Sequence, residues 1–153
     1  LLYETKPNLQ CLEKEIKCIK NYLDLERIRY GEKLSIKLKI EGSTENKKLP
    51  PMLLIPFIEN AFKHGANRST KEVVIKIELI IKDDILYFRT CNSLPDEEEI
   101  KTYHSQNIEK QPGGIGILNV KKRLNLGYNR EDYDLKITKK DTEFLVDLKL
   151  KLK

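Results

Sequence analysis

The apolar positions of the chain change period several times, and each change marks an element. Leu12, Ile16, Ile19, Leu23 and Ile28 form the stripe of an amphipathic helix over residues 12–30. Glu13, Lys17, Lys20, Asp24 and Arg27 fill its remaining surface, with Glu13 ahead of Lys17 in the favourable order. Asn8 is a candidate cap for this helix or for a preceding turn, and Gly31 is its stop. Leu34-Ser35-Ile36-Lys37-Leu38-Lys39-Ile40 then alternates strictly, the period of a half-buried strand. After a polar loop over residues 42–46, Leu54, Phe57, Ile58 and Ala61 return to helical spacing. This second helix starts at the paired Pro50 and Pro51 and stops at Lys63, His64 and Gly65. Pro56 removes a donor in its early turns, so the helix either kinks there or becomes regular only near it.

Residues 73–81 and 85–91 are β-rich runs about an Asp83-Asp84 turn, a hairpin that Asn92-Ser93-Leu94-Pro95 brings to an end. Residues 96–112 are polar, with a short helix expected near 97–101. A polar segment of that length inside a domain reads as a lid over a site or as disorder. Gly113-Gly114-Ile115-Gly116 opens a third helix through Ile117, Val120 and Leu124 to Gly127. Tyr133–Thr138 and Phe144–Leu150, joined by Lys139-Lys140-Asp141-Thr142, form a last hairpin. The order is helix, strand, helix, two strands, loop, helix, two strands, with mostly hairpin links. It predicts an α+β two-layer sandwich, a mixed, mostly antiparallel sheet with helices on one face.

Composition refines this picture. A chain of 153 residues, 39% hydrophobic and 35% charged, suits one domain with a real core. No apolar run is long enough to span a membrane. The start, Leu1-Leu2-Tyr3-Glu4-Thr5, lacks an initiator methionine and a signal pattern, and it is expected to be the interior of a longer chain. The net charge of +5 suits an anionic ligand or an acidic partner. No cluster interleaves basic and aromatic residues, so direct nucleic-acid binding is not expected. Cys11, Cys18 and Cys91 match neither a disulfide framework nor a zinc spacing, which points to the reducing cytosol.

Two stretches carry candidate chemistry. Asn60, Lys63, His64 and Asn67 lie on neighbouring surface of the second helix, bringing together amides, an ammonium and an imidazole. They are either a solvated face whose cations cap the helix end or half of a ligand site. Gly114 and Gly116 precede a helix whose first amides and dipole suit an anion, although a bare Gly-x-Gly also makes an ordinary tight turn.

Pro51-Met52-Leu53-Leu54-Ile55-Pro56-Phe57-Ile58-Glu59-Asn60-Ala61-Phe62-Lys63-His64-Gly65 resembles the asparagine box of sensor histidine kinases, most closely the LytS-type branch. Gly114-Ile115-Gly116-Ile117-Leu118-Asn119-Val120-Lys121-Lys122-Arg123-Leu124 resembles the same branch's second glycine box. The helix from Leu12 to Tyr30 looks like the one that leads into this ATPase domain. The resemblance implies the Bergerat ATP-binding sandwich of gyrase and MutL ATPases. The cofactors it implies are ATP and Mg²⁺, with Asn60 as the metal ligand and Lys63 and His64 beside the phosphates. Glu59 is a candidate for orienting a nucleophile or a magnesium-bound water. Gly114 and Gly116 would let the backbone close over the phosphates, the amides of Ile117 and Leu118 would bind them, and residues 96–112 would be the ATP lid.

Asn92 stands where the family places an Asp that accepts from the adenine amino group, and the glycine that follows in the family is missing. An amide oxygen still accepts, without charge assistance. Pro112 replaces the first glycine of the second box. The resemblance further implies a division of roles: residues 1–31 end a dimerisation and linker region, and residues 32–153 bind ATP. The phosphate would pass to a His on a preceding dimerisation helix of the same or a partner chain, in a homodimer. From there it would pass to a response regulator, in this branch commonly a LytTR type. The whole protein would be a bacterial membrane sensor with this domain on the cytoplasmic side. Neither His64 nor His104 stands in an acceptor position, so the fragment is not expected to phosphorylate itself alone. The alternative is a degenerate Bergerat domain serving as a non-catalytic signalling module. A chaperone-like or mismatch-repair ATPase is disfavoured, because Pro56 holds the place one turn before Asn60 where hydrolysis needs an acid.

Overall fold

The computed structural model describes residues 8–65, 72–94 and 115–153, with Ile115 described by its backbone only. A two-residue strand, β1 (Gln10–Cys11), runs straight into helix α1 (Leu12–Tyr30). Gly31 ends α1 at φ 63°, and its N–H donates to the Arg27 carbonyl. The left-handed backbone there is the conformation for which glycine carries no Cβ penalty. Strands β2 (Leu34–Glu41) and β3 (Lys48–Leu49), helix α2 (Ile55–His64), and strands β4 (Val73–Lys82) and β5 (Ile85–Ser93) follow. Helix α3 (Ile115–Gly127) and strands β6 (Tyr133–Lys139) and β7 (Glu143–Lys151) complete the chain.

The main sheet has the order β2-β4-β5-β7-β6. Only β2 and β4 pair in parallel; the other three ladders are antiparallel. Alternation decides which way each strand faces. Ile75, Ile77 and Leu79 of β4 and Leu86 and Phe88 of β5 are buried under the helices. Leu12, Ile16, Ile19 and Leu23 of α1, Phe57, Ile58 and Ala61 of α2, and Ile117, Val120 and Leu124 of α3 join them in one core. The opposite sheet face carries charged side chains. The fold is thus the expected sandwich, helices on one face of a mixed sheet. A small second sheet pairs β1 with β3, and the backbone of Lys48 also exchanges hydrogen bonds of 2.8 and 3.1 Å with Lys153.

Three local expectations are corrected. Helix α2 starts at Ile55, because residues 51–54 form a turn in which Met52 takes φ 58°. Pro56 falls in the first helical turn, where a missing N–H costs no intrahelical bond, so the late regular start is the one observed. The residue ahead of α1 is Cys11 and no side chain caps it, so Asn8 is not its cap. Ile28 is 81% exposed and leaves the buried stripe. The short helix expected at 97–101 and the polar segment 96–112 lie outside the described residues.

Candidate functional site

Helix α2 runs along β5, and its contacts set the site. Near the start, the Phe57 ring packs on Phe88 with centroids 6.0 Å apart. At the end, Gly65 passes so close that a Cβ there would stand 2.9 Å from the Ala61 carbonyl oxygen and 3.3 Å from that of Ser93. Asn60 lies between these two contacts and is 7% exposed. Below, on the inward face of β5, Asn92 is 1% exposed. Its Nδ2 donates to the Ser93 carbonyl at 3.1 Å, while its Oδ1 has no partner among the described residues. The Asn60 Nδ2 has none either, and half a turn of that amide would present its oxygen at the same point. Leaving a buried polar atom unpaired costs about 1–3 kcal/mol. Two such amides, one on α2 and one on the strand beneath it, make this end of the sheet the candidate ligand site.

His64 closes the neighbouring side. Its ring stacks on Phe144 of β7 at 5.2 Å and 16°, and Phe144 is the register partner of Asn92. Residues far apart in sequence, Asn60, His64, Asn92 and Phe144, therefore gather at one end of the sheet. Lys63 and Glu59 are exposed. Glu59 lies within electrostatic reach of α1: burial first, then Glu26 and then Glu59 hold the Tyr22 phenol above its ordinary pKa. Asn60 and Glu59, adjacent in sequence, thus serve different sides of α2.

The first turn of α3 approaches the same helix. A Cβ on Gly116 would meet the Pro56 Cβ at an ordinary 3.8 Å, so packing alone does not demand a glycine there. Ile117 is buried and anchors the turn, and Leu118 is 52% exposed. No acidic residue stands in that first turn, which leaves its free amides suited to an anion. Gly114 lies outside the described residues. Among the described residues no group of three or more His, Cys, Asp or Glu could hold a metal. The oxygen available to a hard cation at this site is an amide, suited to Mg²⁺ that keeps waters and phosphate oxygens as its other ligands.

Two residues outside the sequence expectations fix the approach to α2. Glu15 is fully buried in α1 and accepts from the backbone N–H of Met52 at 2.9 Å and of Leu54 at 3.0 Å. Arg123 of α3 donates to the carbonyls of Pro51 at 2.6 Å and Met52 at 3.1 Å. A signal for Glu15 was present: it lies three residues after Leu12 and four before Ile19, on the apolar stripe.

No protein-family model matches this chain. Over 116 residues it is 24% identical to the sensor protein LytS of Bacillus cereus, covering 74% of this chain and 20% of that protein. Over 133 residues it is 24% identical to the sensor histidine kinase YesM of Bacillus subtilis, covering 86% of this chain and 22% of that protein. Among solved structures, the catalytic domain of the histidine kinase ThkA superposes with a TM-score of 0.58 at 11% identity, over 94% of each chain. By sequence the chain is similar to LytS-type and YesM sensor histidine kinases, and its fold is that seen in histidine-kinase catalytic domains. ThkA in complex with the response regulator protein TrrA also superposes, with a TM-score of 0.55 at 11% identity over 95% of this chain and 42% of that one. The chain spans about a fifth of the length of the LytS and YesM relatives. Within this fold, the first turn of α3 meets α2 at Pro56, one helical turn before Asn60.

Proposed function

We propose that this chain is the ATP-binding catalytic domain of a two-component sensor histidine kinase, passing the γ-phosphate of ATP to a His on a dimerisation helix. The observation that carries the reading is the pair of buried, unpartnered amide atoms on Asn60 and Asn92. Bound Mg·ATP supplies the γ-phosphoryl group and a cation that spreads its negative charge. Asn60 presents its amide oxygen to the cation. Asn92 Oδ1 accepts from the adenine amino group. The amides at Gly116, Ile117 and Leu118 donate to phosphate oxygens, with Gly114 in the same turn, and Lys63 and His64 offset charge from α2. Glu59, within electrostatic reach of α1, is left a minor part in orienting a nucleophile. Pro56, one turn before Asn60, puts no carboxylate where water would be activated, so the residues present favour positioning over hydrolysis.

The acceptor helix would belong to the same or a partner chain of a homodimer. The next acceptor would be a response regulator, of LytTR type in this branch; ThkA, held with TrrA, is the precedent for such a pairing. The whole protein would be a membrane sensor with this domain in the cytoplasm; no described helix is long and apolar enough to cross a membrane. Residues 1–31 would be the incoming linker and residues 32–153 the nucleotide-binding part. Because α1 shares one core with the sheet, that is a division of role rather than of packing.

Titration with a fluorescent ATP analogue, with and without Mg²⁺, tests the reading. Saturable, Mg²⁺-dependent binding is expected, and Asn60→Ala should remove the Mg²⁺ dependence while the fold persists. Absence of saturation at millimolar nucleotide would instead favour the non-catalytic signalling module. That rival draws on the uncharged Asn92, half of whose amide is already engaged by Ser93.

A further inference from the structure

The turn at residues 51–54 belongs to neither a helix nor the sheet, yet helices α1 and α3 both grip its backbone. Met52, at φ 58°, divides the polar groups between them. The amides of Met52 and Leu54 go to the two carboxylate oxygens of Glu15, one each. The carbonyls of Pro51 and Met52 go to the guanidinium of Arg123. A fork-shaped donor and a two-oxygen acceptor thus hold opposite sides of the Pro51–Met52 peptide unit, and each reaches one further unit of the turn. A left-handed backbone at a non-glycine residue persists only where its surroundings over-determine it, and here four hydrogen bonds do so. Gln10, from β1, donates to the same Glu15 oxygen at 2.9 Å and ties the chain entering α1 into the set.

The turn leads directly into α2, which carries Asn60. Arg123 lies two helical turns beyond Gly116, so it also fixes how the N-terminus of α3 meets Pro56. A buried carboxylate that has lost water must keep its partners. A displacement of α1 therefore moves the turn, and the turn moves Arg123 and α3. We propose that Glu15 and Arg123 are positioning residues for the nucleotide site, and that the turn they share couples the placement of α1 to the α3 N-terminus. This rests on the nucleotide-site reading above. It assigns the coupling to a polar clasp, in addition to the apolar packing between the helices.

The test uses this chain with Mg²⁺ and a fluorescent ATP analogue. The variants are Arg123→Met, Arg123→Lys, Glu15→Gln and the Glu15→Gln/Arg123→Met pair. Leu150→Ala is the control; it opens the core at the opposite end of β7 from Phe144. Urea midpoints report stability separately from affinity. Arg123→Met should weaken binding about tenfold, within the range reported for residues that relay between sites. Arg123→Lys should recover little, because an ammonium cannot bridge two carbonyls in a fixed plane. The double variant should bind about as weakly as the weaker single, since both break one relay. Leu150→Ala should lower the urea midpoint and leave affinity unchanged. Wild-type affinity within twofold in both folded Arg123 variants, or additive losses in the pair, would overturn the clasp. If Glu15→Gln does not fold, the two Arg123 variants decide alone. A wild-type chain that binds no nucleotide removes the function reading itself and the clasp's role with it.

Discussion

Asn92 puts two demands on one amide. Its nitrogen serves the protein, donating to Ser93, and its oxygen is left unpartnered in the core. Asn92→Asp would keep the shape, lose the donor and bury a charge beside a carbonyl. The expected outcome is lower stability without nucleotide, by about 1–3 kcal/mol, and tighter adenine-nucleotide binding. A charge-assisted hydrogen bond is roughly twice as strong as a neutral one, which corresponds to about fivefold in affinity. Parallel urea and nucleotide titrations measure both, and unchanged affinity in the folded variant would show that Asn92 does not meet the adenine amino group. At this scale the sequence was readable where a residue broke its local pattern. Asn60 stood out as a polar group in an apolar helix, whereas Asn92 was singled out only through the resemblance, in the place of the family's Asp. Glu15 broke the α1 stripe in the same way, but the amides it accepts from are more than thirty-five residues away and leave no local trace. Arg123 was quoted only as part of a motif, because its partners are main-chain carbonyls of a turn that the pattern assigned to a helix.

The elements themselves were legible almost throughout, since period two and period three-to-four leave different marks. The α2 start was not, because paired prolines read as a helix edge while Glu15 and Arg123 pull that segment into a turn. Strand order was hidden too. Nothing in β2 or β4 alone says that they run parallel at one edge. On the open face that order sets a row of alternating charges across all five strands: Lys39, Glu78, Arg89, Asp147 and Lys136 are successive register partners. At its centre, Arg89 holds Asp147 through two hydrogen bonds of 2.5 and 3.3 Å, and this keeps the guanidinium pKa above its usual value. Each such pair is half exposed and worth only about 0.2–1 kcal/mol, so the row acts on register more than on total stability. Arg89→Glu would set like charges against Glu78 and Asp147 together. It should cost about 1–2 kcal/mol at low salt and less at high salt, as screening requires. A salt-independent loss in urea unfolding would mean that lost packing, not charge, accounts for it.

Across the whole molecule the helices are seamed to one another and to the C-terminus by phenols, Tyr128 buried and Tyr22 and Tyr30 partly so. Tyr22 meets the Phe62 ring edge-on at 5.7 Å and Tyr30 stacks on it at 6.2 Å, joining the C-terminal half of α1 to the last turn of α2 around one ring. Tyr128, at the end of α3, is 7% exposed with Lys153 over its ring, and its hydroxyl has no partner among the described residues. Burial raises all three pKa values, and that of Tyr128 is pushed up to about 12 from 10.0, with the nearby Asp132 adding to burial and Arg123 opposing it. The sign follows from linkage. The folded chain holds each phenolic proton more tightly than the unfolded chain does. The contribution is therefore complete below the unfolded value near 10 and is lost as pH climbs toward the folded one. For Tyr128 the loss amounts to about 2–3 kcal/mol across that window. Tyr128→Phe keeps the ring beneath Lys153 and removes the unpaired hydroxyl. Near pH 8 it should be neutral or stabilising by up to about 1 kcal/mol. By about pH 11 it should be clearly more stable than the wild type, because one of the three groups that resist ionisation is gone. Urea midpoints over this range read the difference directly, and alkaline limbs that run parallel in the two proteins would place the phenol of Tyr128 in water rather than in the seam.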